Sequence, residues 1–217
     1  MRPGIILALP LSFILFACAQ RSPNSSHLQA GNANDMSEIK TDTATFANGC
    51  FWCTEAIFNE LDGVLSAVSG YSGGHTINPD YKSVCTGETG HAESLQITYD
   101  PSKISFDDLL EVFWKTHDPT SLNRQGADVG TQYRSAVFYH NDEQRQKAEH
   151  YKKEIDKSGA YEKPIVTEIT PFSTFYPAEN YHQQYFENNE NTNPYCKVVI
   201  RPKLDKFRKV FRDKLKY

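Results

Sequence analysis

The stretch Thr43-Ala44-Thr45-Phe46-Ala47-Asn48-Gly49-Cys50-Phe51-Trp52-Cys53-Thr54-Glu55 sets the architecture of this chain. Thr43 to Ala47 reads as a short strand, closed by Asn48-Gly49. Residues 50–61 then read as a helix, with Ile57, Phe58 and Leu61 on one face and Gly63 as its stop. The turn between them carries two thiols with two large aromatics in between. A thiol in the first turn of a helix faces unpaired N–H groups and the positive end of the dipole, which favours thiolate. Lowering a thiol pKa from ~8.5 to ~7 raises the thiolate fraction at neutral pH from a few per cent to about half. Phe51 and Trp52 supply an apolar wall beside that sulfur, suited to a small, apolar, sulfur-containing group.

Outward from this turn, strands and helices mix. Val64 to Tyr71 is a second strand, ended by Ser72-Gly73-Gly74, and residues 75–91 form an irregular loop long enough to suggest function. Leu95, Ile97 and Tyr99 alternate with Ser94, Gln96 and Thr98, the pattern of a half-buried strand. Ser105 caps a helix whose Phe106, Leu109, Leu110 and Phe113 share one face, with Asp107 and Asp108 at its positive end. After a polar loop over 117–131 come a strand (Arg134–His140), a charged helix (Asp142–Ser158) stopped by Gly159, and a strand over Pro164–Thr170. The spacing then predicts a short aromatic helix over Tyr176–Phe186, a turn over 188–193 and a strand over Cys196–Ile200. Leu204, Phe207, Phe211 and Leu215 mark a last amphipathic helix. The expected fold is α/β (α+β): a two-layer sandwich of a mixed β-sheet and helices, ferredoxin-like in plan.

The chain has 217 residues, 39% hydrophobic and 23% charged, an ordinary globular balance with enough length for one sizeable core. Its net charge of -4 argues against a nucleic acid partner. The basic stretch Arg201 to Lys216 reads as a solvated helix face. At the other end, Met1-Arg2 and the apolar run Ile5 to Phe16 lead into Leu15-Phe16-Ala17-Cys18, which resembles a bacterial lipoprotein cleavage box. Residues 1–17 are thus expected to be a signal peptide and Cys18 the lipidated first residue of the mature protein. An ordinary secretory signal beside a chance cysteine is the alternative, and both predict export. Ala19, rather than aspartate, follows the cysteine, so in a Gram-negative cell the expected anchor site is the outer membrane, on its periplasmic side. Residues 18–42, rich in Ser, Asn, Gln, Gly and Asp, form a flexible tether, and 43–217 the catalytic domain.

Without Cys18, four cysteines remain: Cys50, Cys53, Cys85 and Cys196, which allow three complete pairings. A domain of this size needs no staples, so redox catalysis competes with structural pairing. The Cys50/Cys53 pair reads as half a zinc site, a thioredoxin-like dithiol, or a nucleophile with a neighbour. Zinc needs two more ligands, and Cys85 and His91 stand at an unfamiliar spacing. Two aromatics between the thiols suit neither a zinc knuckle nor the usual dithiol linker, so no metal is expected. Cys85 reads as a small buried packing residue. Glu93, in Gly90-His91-Ala92-Glu93, could hold a proton beside an apolar pocket and give it to a leaving oxygen. Taken alone it reads as a solvent-facing strand residue. Asp128 and Tyr133 lie in one polar loop and Tyr81 in the other, and the two tyrosines, taken singly, read as packing residues.

As a set these residues say more. Six segments occur in order: Gly49 to Glu55, Ser69 to Gly74, Gly87 to Glu93, Asp118-Pro119-Thr120, Gly130 to Ser135, and Tyr181-His182-Gln183. Through them the chain resembles the peptide methionine sulfoxide reductases of the A type, over roughly residues 43–208. The resemblance implies Cys50 as nucleophile and Phe51 and Trp52 as the pocket for the sulfoxide methyl group. It implies Glu93 as the acid for the sulfoxide oxygen, with Tyr81, Asp128 and Tyr133 as its hydrogen-bonding surroundings. The implied substrate is the S epimer of methionine sulfoxide, free or in peptides and proteins. No metal or organic cofactor is implied. A thioredoxin-like reductant recycles the enzyme, which is expected to act as a monomer. Asn193-Pro194-Tyr195-Cys196 matches the resolving-cysteine segment of some relatives, which favours Cys196 as the resolving thiol. Cys53 is its rival, and a relay through both is a third route. A thiol–disulfide exchanger using Cys50 and Cys53, or a non-enzymatic binding module for oxidised proteins, are the competing functions.

Overall fold

The computed structural model describes residues 40–216; the expected signal peptide, Cys18 and nearly all of the tether lie outside the described residues. The chain runs β1 (Asp42–Asn48), α1 (Phe51–Phe58), β2 (Val64–Ser72), α2 (Tyr81–Cys85), β3 (Ala92–Tyr99) and α3 (Phe106–Thr116). It continues with β4 (Arg124–Gln125), β5 (Asp128–Val129), β6 (Ser135–Tyr139), α4 (Asp142–Ser158), β7 (Glu168–Pro171), β8 (Phe175–Pro177), α5 (Tyr185–Asn189) and α6 (Arg201–Val210). Six strands form one sheet in the order β7-β6-β1-β3-β2-β8, in which only β6 and β7 run parallel. The mixed α/β expectation holds.

One face of the sheet carries the core. Ala44 and Phe46 of β1, Leu95 and Ile97 of β3 and Val137 of β6 meet Ile57 and Phe58 of α1, Leu109 and Phe113 of α3 and Leu204 and Phe207 of α6. Phe46 sits at its centre, with the rings of Phe58, Phe106 and Phe113 at 5.8, 5.9 and 5.1 Å. The opposite face is shallow: Ala47, Ala92, Ala136 and Phe138 are closed over by Phe172. Because β3 is central, the strand expected to be half-buried is buried on both faces at its N-terminal end. Glu93 has the same parity as Leu95 and Ile97, so it continues their alternation onto the helix-covered face and is only 2% exposed. The solvent-facing alternative for Glu93 is thereby corrected.

Several elements depart from the expected ones. The loop over 75–91 contains α2, started by an Asp80/Ser83 capping box. Cys85 at the end of α2 is exposed, not buried. The polar loop over 117–131 holds the β4–β5 hairpin. The strand expected over Pro164–Thr170 starts later, at Glu168. Tyr176–Phe186 is not one helix: β8 ends at Pro177, a 3-10 turn covers Asn180–His182, and Gln184 at φ 51° interrupts the helical path before α5. Cys196–Ile200 is a π-helical turn running into α6, not a strand. Pro202 at the head of α6 has no N–H to offer the preceding turn, and a widened turn accommodates that loss.

Candidate active site

The site is built where β1 turns into α1. Gly49 has φ 98°, and a Cβ there would stand 2.7 Å from the side chain of Gln125, so glycine is required on both counts. Gln125 is itself fixed by Asp118, whose N–H donates to Oε1 (2.9 Å) and whose carbonyl accepts from Nε2 (3.1 Å). The Asp118-Pro119-Thr120 segment therefore builds the floor behind the turn. On its other side, the Thr54 hydroxyl donates to Asn48 Oδ1 at 2.5 Å and closes strand onto helix.

Cys50 is the N-cap of α1, and its sulfur accepts no N–H from the first turn. The Cys53 and Thr54 N–H groups donate to the Cys50 carbonyl instead, at 3.1 and 3.3 Å. The Phe51 N–H donates to Glu93 Oε2 at 3.0 Å. Burial pushes the Cys50 thiol well up, reinforced by its hydrogen bond with Cys53 and by the charges of Cys53 and Glu93. The free site thus holds Cys50 as a thiol, contrary to the thiolate expected from its place at a helix head. Cys53 is held down chiefly by the hydrogen bond from Cys50. Burial raises Glu93 to about 8, against the opposing pull of the Phe51 N–H, so at neutral pH it is mostly the carboxylic acid.

An aromatic cage surrounds this pair. Trp52 stacks on Tyr185 at 3.7 Å between centroids, nearly parallel, and meets the edge of Tyr195 at 6.0 Å. Phe51 lies against Tyr71, Tyr81 and His182, at 5.9, 6.4 and 5.1 Å. The Trp52 indole N–H donates to His182 Nδ1 at 3.0 Å, which places the ring proton of neutral His182 on Nε2. Glu179 aligns two walls at once: Oε1 accepts from the Tyr81 N–H and Oε2 from the Tyr71 hydroxyl, both at 2.9 Å.

The structure brings the expected residues together. Tyr81 and Tyr133 lie close enough to Glu93 for its charge to raise both phenols, after burial. Asp128 acts through Tyr195, whose hydroxyl donates to Asp128 Oδ2 at 2.8 Å and whose phenol is raised by burial and by the charge of Cys50. Cys196 is buried and senses the charge of Cys53; burial raises its thiol. Tyr195, Tyr185, His182 and Glu179 were not singled out from the sequence. Two of them had a signal: His182 lies in one of the six ordered segments and Tyr195 in the segment that ends at Cys196. Among the described residues no group of three or more His, Cys, Asp or Glu is placed to hold a metal ion.

Known proteins place the chain in a family. A family model for peptide methionine sulfoxide reductase matches residues 42–215. The chain is 54% identical over 175 residues to the peptide methionine sulfoxide reductase MsrA of Saccharolobus solfataricus, covering 81% of this chain and 97% of that one. Its fold is similar to reduced Mxr1 from Saccharomyces cerevisiae, with TM-score 0.66 and 37% identity over 71% of this chain and 88% of the other. Methionine sulfoxide reductase A of Corynebacterium diphtheriae gives TM-score 0.65 and 37% identity over 73% and 80%. The chain therefore belongs to the peptide methionine sulfoxide reductase family, in its A-type branch.

Proposed function

We propose that the chain reduces the S epimer of methionine sulfoxide, free or within peptides and proteins, to methionine. One juxtaposition carries this: a thiol, a buried proton-bearing carboxyl and an aromatic cage meet at the head of α1. The sulfoxide methyl group lies against Phe51 and Trp52 while its oxygen faces Glu93, Tyr81 and Tyr133. Glu93 gives its proton to that oxygen, which makes the sulfoxide sulfur electrophilic. Cys50 attacks that sulfur and its proton replaces the one Glu93 gave up. The oxygen then passes to Cys50 as both its bond to the substrate sulfur and the new S–S bond break, which releases methionine and leaves a sulfenic acid on Cys50.

Resolution needs a second thiol. Cys53 is within hydrogen-bonding reach of Cys50, and Cys50 stands at the N-cap rather than inside the helical ladder, so the two sulfurs can approach. We infer that Cys53 condenses first, releasing water. Cys196, which lies near Cys53, then attacks Cys53, forms Cys53–Cys196 and frees Cys50. A thioredoxin-like dithiol reduces that disulfide. The apolar run Ile5 to Phe16 and the box before Cys18 support an exported enzyme of three parts. These are a signal peptide (1–17), a tether (18–42) lipidated at Cys18, and the catalytic domain (43–217) on the periplasmic side of the outer membrane. The reductant then works on that side too.

The test uses the full chain, a dithiol and the two epimers of a blocked methionine sulfoxide. The S epimer alone should be reduced, and Cys50→Ser should abolish turnover; intact turnover in that variant sinks the assignment. The neighbouring Cys50 and Cys53 thiols, both buried at the head of α1, favour one other activity, disulfide exchange. That reading predicts reduction of insulin disulfides with sulfoxides ignored. Acid-quenched mass mapping after one turnover should give Cys53–Cys196 in the wild type and Cys50–Cys53 in Cys196→Ser. A wild-type Cys50–Cys196 peptide would overturn the order. Fatty-acid labelling of cells should mark the wild type and not Cys18→Ser.

A further inference from the structure

The six ordered segments give Glu55 no role, yet its surroundings are unusual. It lies on α1 three residues after Trp52, so the two share a helix face, and it is buried. Consecutive residues of one strap receive them. Glu55 Oε1 accepts from the Gln184 N–H at 2.9 Å, and Tyr185 stacks on Trp52. Gln184 is the left-handed N-cap of α5 and makes no side-chain cap of its own. Glu55 supplies the missing cap from another helix. The strap is clamped just before this point as well. His182 accepts from Trp52, and Gln183 brackets Ser69, taking its N–H at 3.0 Å and donating to its carbonyl at 2.9 Å.

Glu55 also carries a cost. Its Oε2 and the hydroxyl of Ser69 are both buried without a hydrogen bond of full geometry, although the Ser69 hydroxyl lies close enough to favour the carboxylate. Burial raises its carboxyl to about 7, opposed by the Gln184 and Tyr185 N–H groups, while Glu187 on α5 adds to the rise. A buried carboxyl is expensive to keep, and such costs concentrate where geometry serves function.

We propose that Glu55 is a positioning residue for the methyl pocket, capping α5 so that Tyr185 is held flat against Trp52. This rests on the reductase reading for its kinetic consequence, and on the contacts alone for its structural one.

Two substitutions separate reach from charge. Glu55→Asp keeps the charge but withdraws the oxygen by one methylene; Glu55→Gln loses the charge but keeps an acceptor at the same reach. In Glu55→Asp, KM for the blocked S sulfoxide should rise roughly 5- to 10-fold, the scale of a lost cap, with kcat within about threefold. Amide exchange over 185–189 should accelerate by a similar factor while α1 keeps its protection. Glu55→Gln should stay within about threefold of wild type on all three measures. The proposal fails if Asp is tolerated in both KM and exchange, or if Gln behaves as Asp does. Exchange is read without turnover. A wild type that reduces no sulfoxide, with the expected exchange in the Asp variant, therefore overturns the reductase reading and keeps the cap. Normal turnover with unchanged exchange overturns the cap alone.

Discussion

At Cys50 a local rule and a tertiary contact oppose each other. The head of a helix favours thiolate, but the first N–H of α1 is spent on Glu93, and burial beside that carboxyl raises the thiol. Burial wins, and the result suits the chemistry, because thiol and acid both stay protonated in the free site. The nucleophile, its aromatic neighbours and Glu93 were legible because each lies in a compact motif. The state of Cys50 was not, since the Phe51–Glu93 bond joins residues 42 apart. Glu93 had a further signal in its parity with Leu95 and Ile97, which assigns it to the buried face. Its elevated pKa of about 8 leads to a kinetic expectation. The acid form is required, so kcat/KM should fall as pH rises through about 8. Glu93→Gln should lose about 100-fold or more in kcat, the scale of a general acid, and should lack that descending limb. A variant that keeps the limb assigns it to another group.

Among the elements, those with internal signals were legible and those shaped by neighbours were not. Helix α4 runs over Asp142–Ser158 as expected, because the Asn141 side chain caps its start and Gly159 ends it. By contrast, Cys196-Lys197-Val198-Val199-Ile200 has the β-branched content of a strand yet winds as a π turn. No sheet edge receives it; instead Cys196 and Ile200 join the helix-covered core. The aromatic run around Tyr176–Phe186 breaks its expected helix for a related reason: Glu179, His182, Gln183 and Gln184 all bond to other elements, which outweighs helical propensity. The α4 stop gives a clean check. Gly159 has φ 69°, and a side-chain carbon placed there would have nothing within 4 Å, so Gly159→Ala meets backbone strain and no clash. It should lower stability by about 1 kcal/mol through that strain and leave turnover unchanged. A loss several times larger in urea melts would mean the end of α4 has a partner beyond its own backbone.

Over the whole molecule, buried titratable groups make the fold sensitive to pH in two directions. His117 donates from Nδ1 to the Phe113 carbonyl at 2.7 Å and accepts at Nε2 from Ser135 at 2.7 Å, tying α3 to β6. Burial lowers it to about 4, so between about 6.5 and 4 the unfolded chain takes a proton that the native one refuses. Stability is lost as pH falls through that window. Glu93 and Glu55 act in the opposite sense. Burial raises them to about 8 and about 7, so the native state keeps protons that the unfolded chain releases above about 4.5. Their contribution is complete below about 4.5 and is lost as pH rises through 7 and 8. Glu93 is the cleaner probe, because glutamine keeps an acceptor for the Phe51 N–H and never ionises. At pH 8 the penalty removed by Glu93→Gln is about 4 kcal/mol, or roughly 10 °C in Tm for a domain of this size. Near pH 4.5 the two proteins should melt together. A substitution that costs rate should thus add stability, and only on the alkaline side. Equal Tm differences at both pH values would show that Glu93 is not held protonated in the fold, which would also remove the acid from the proposed mechanism.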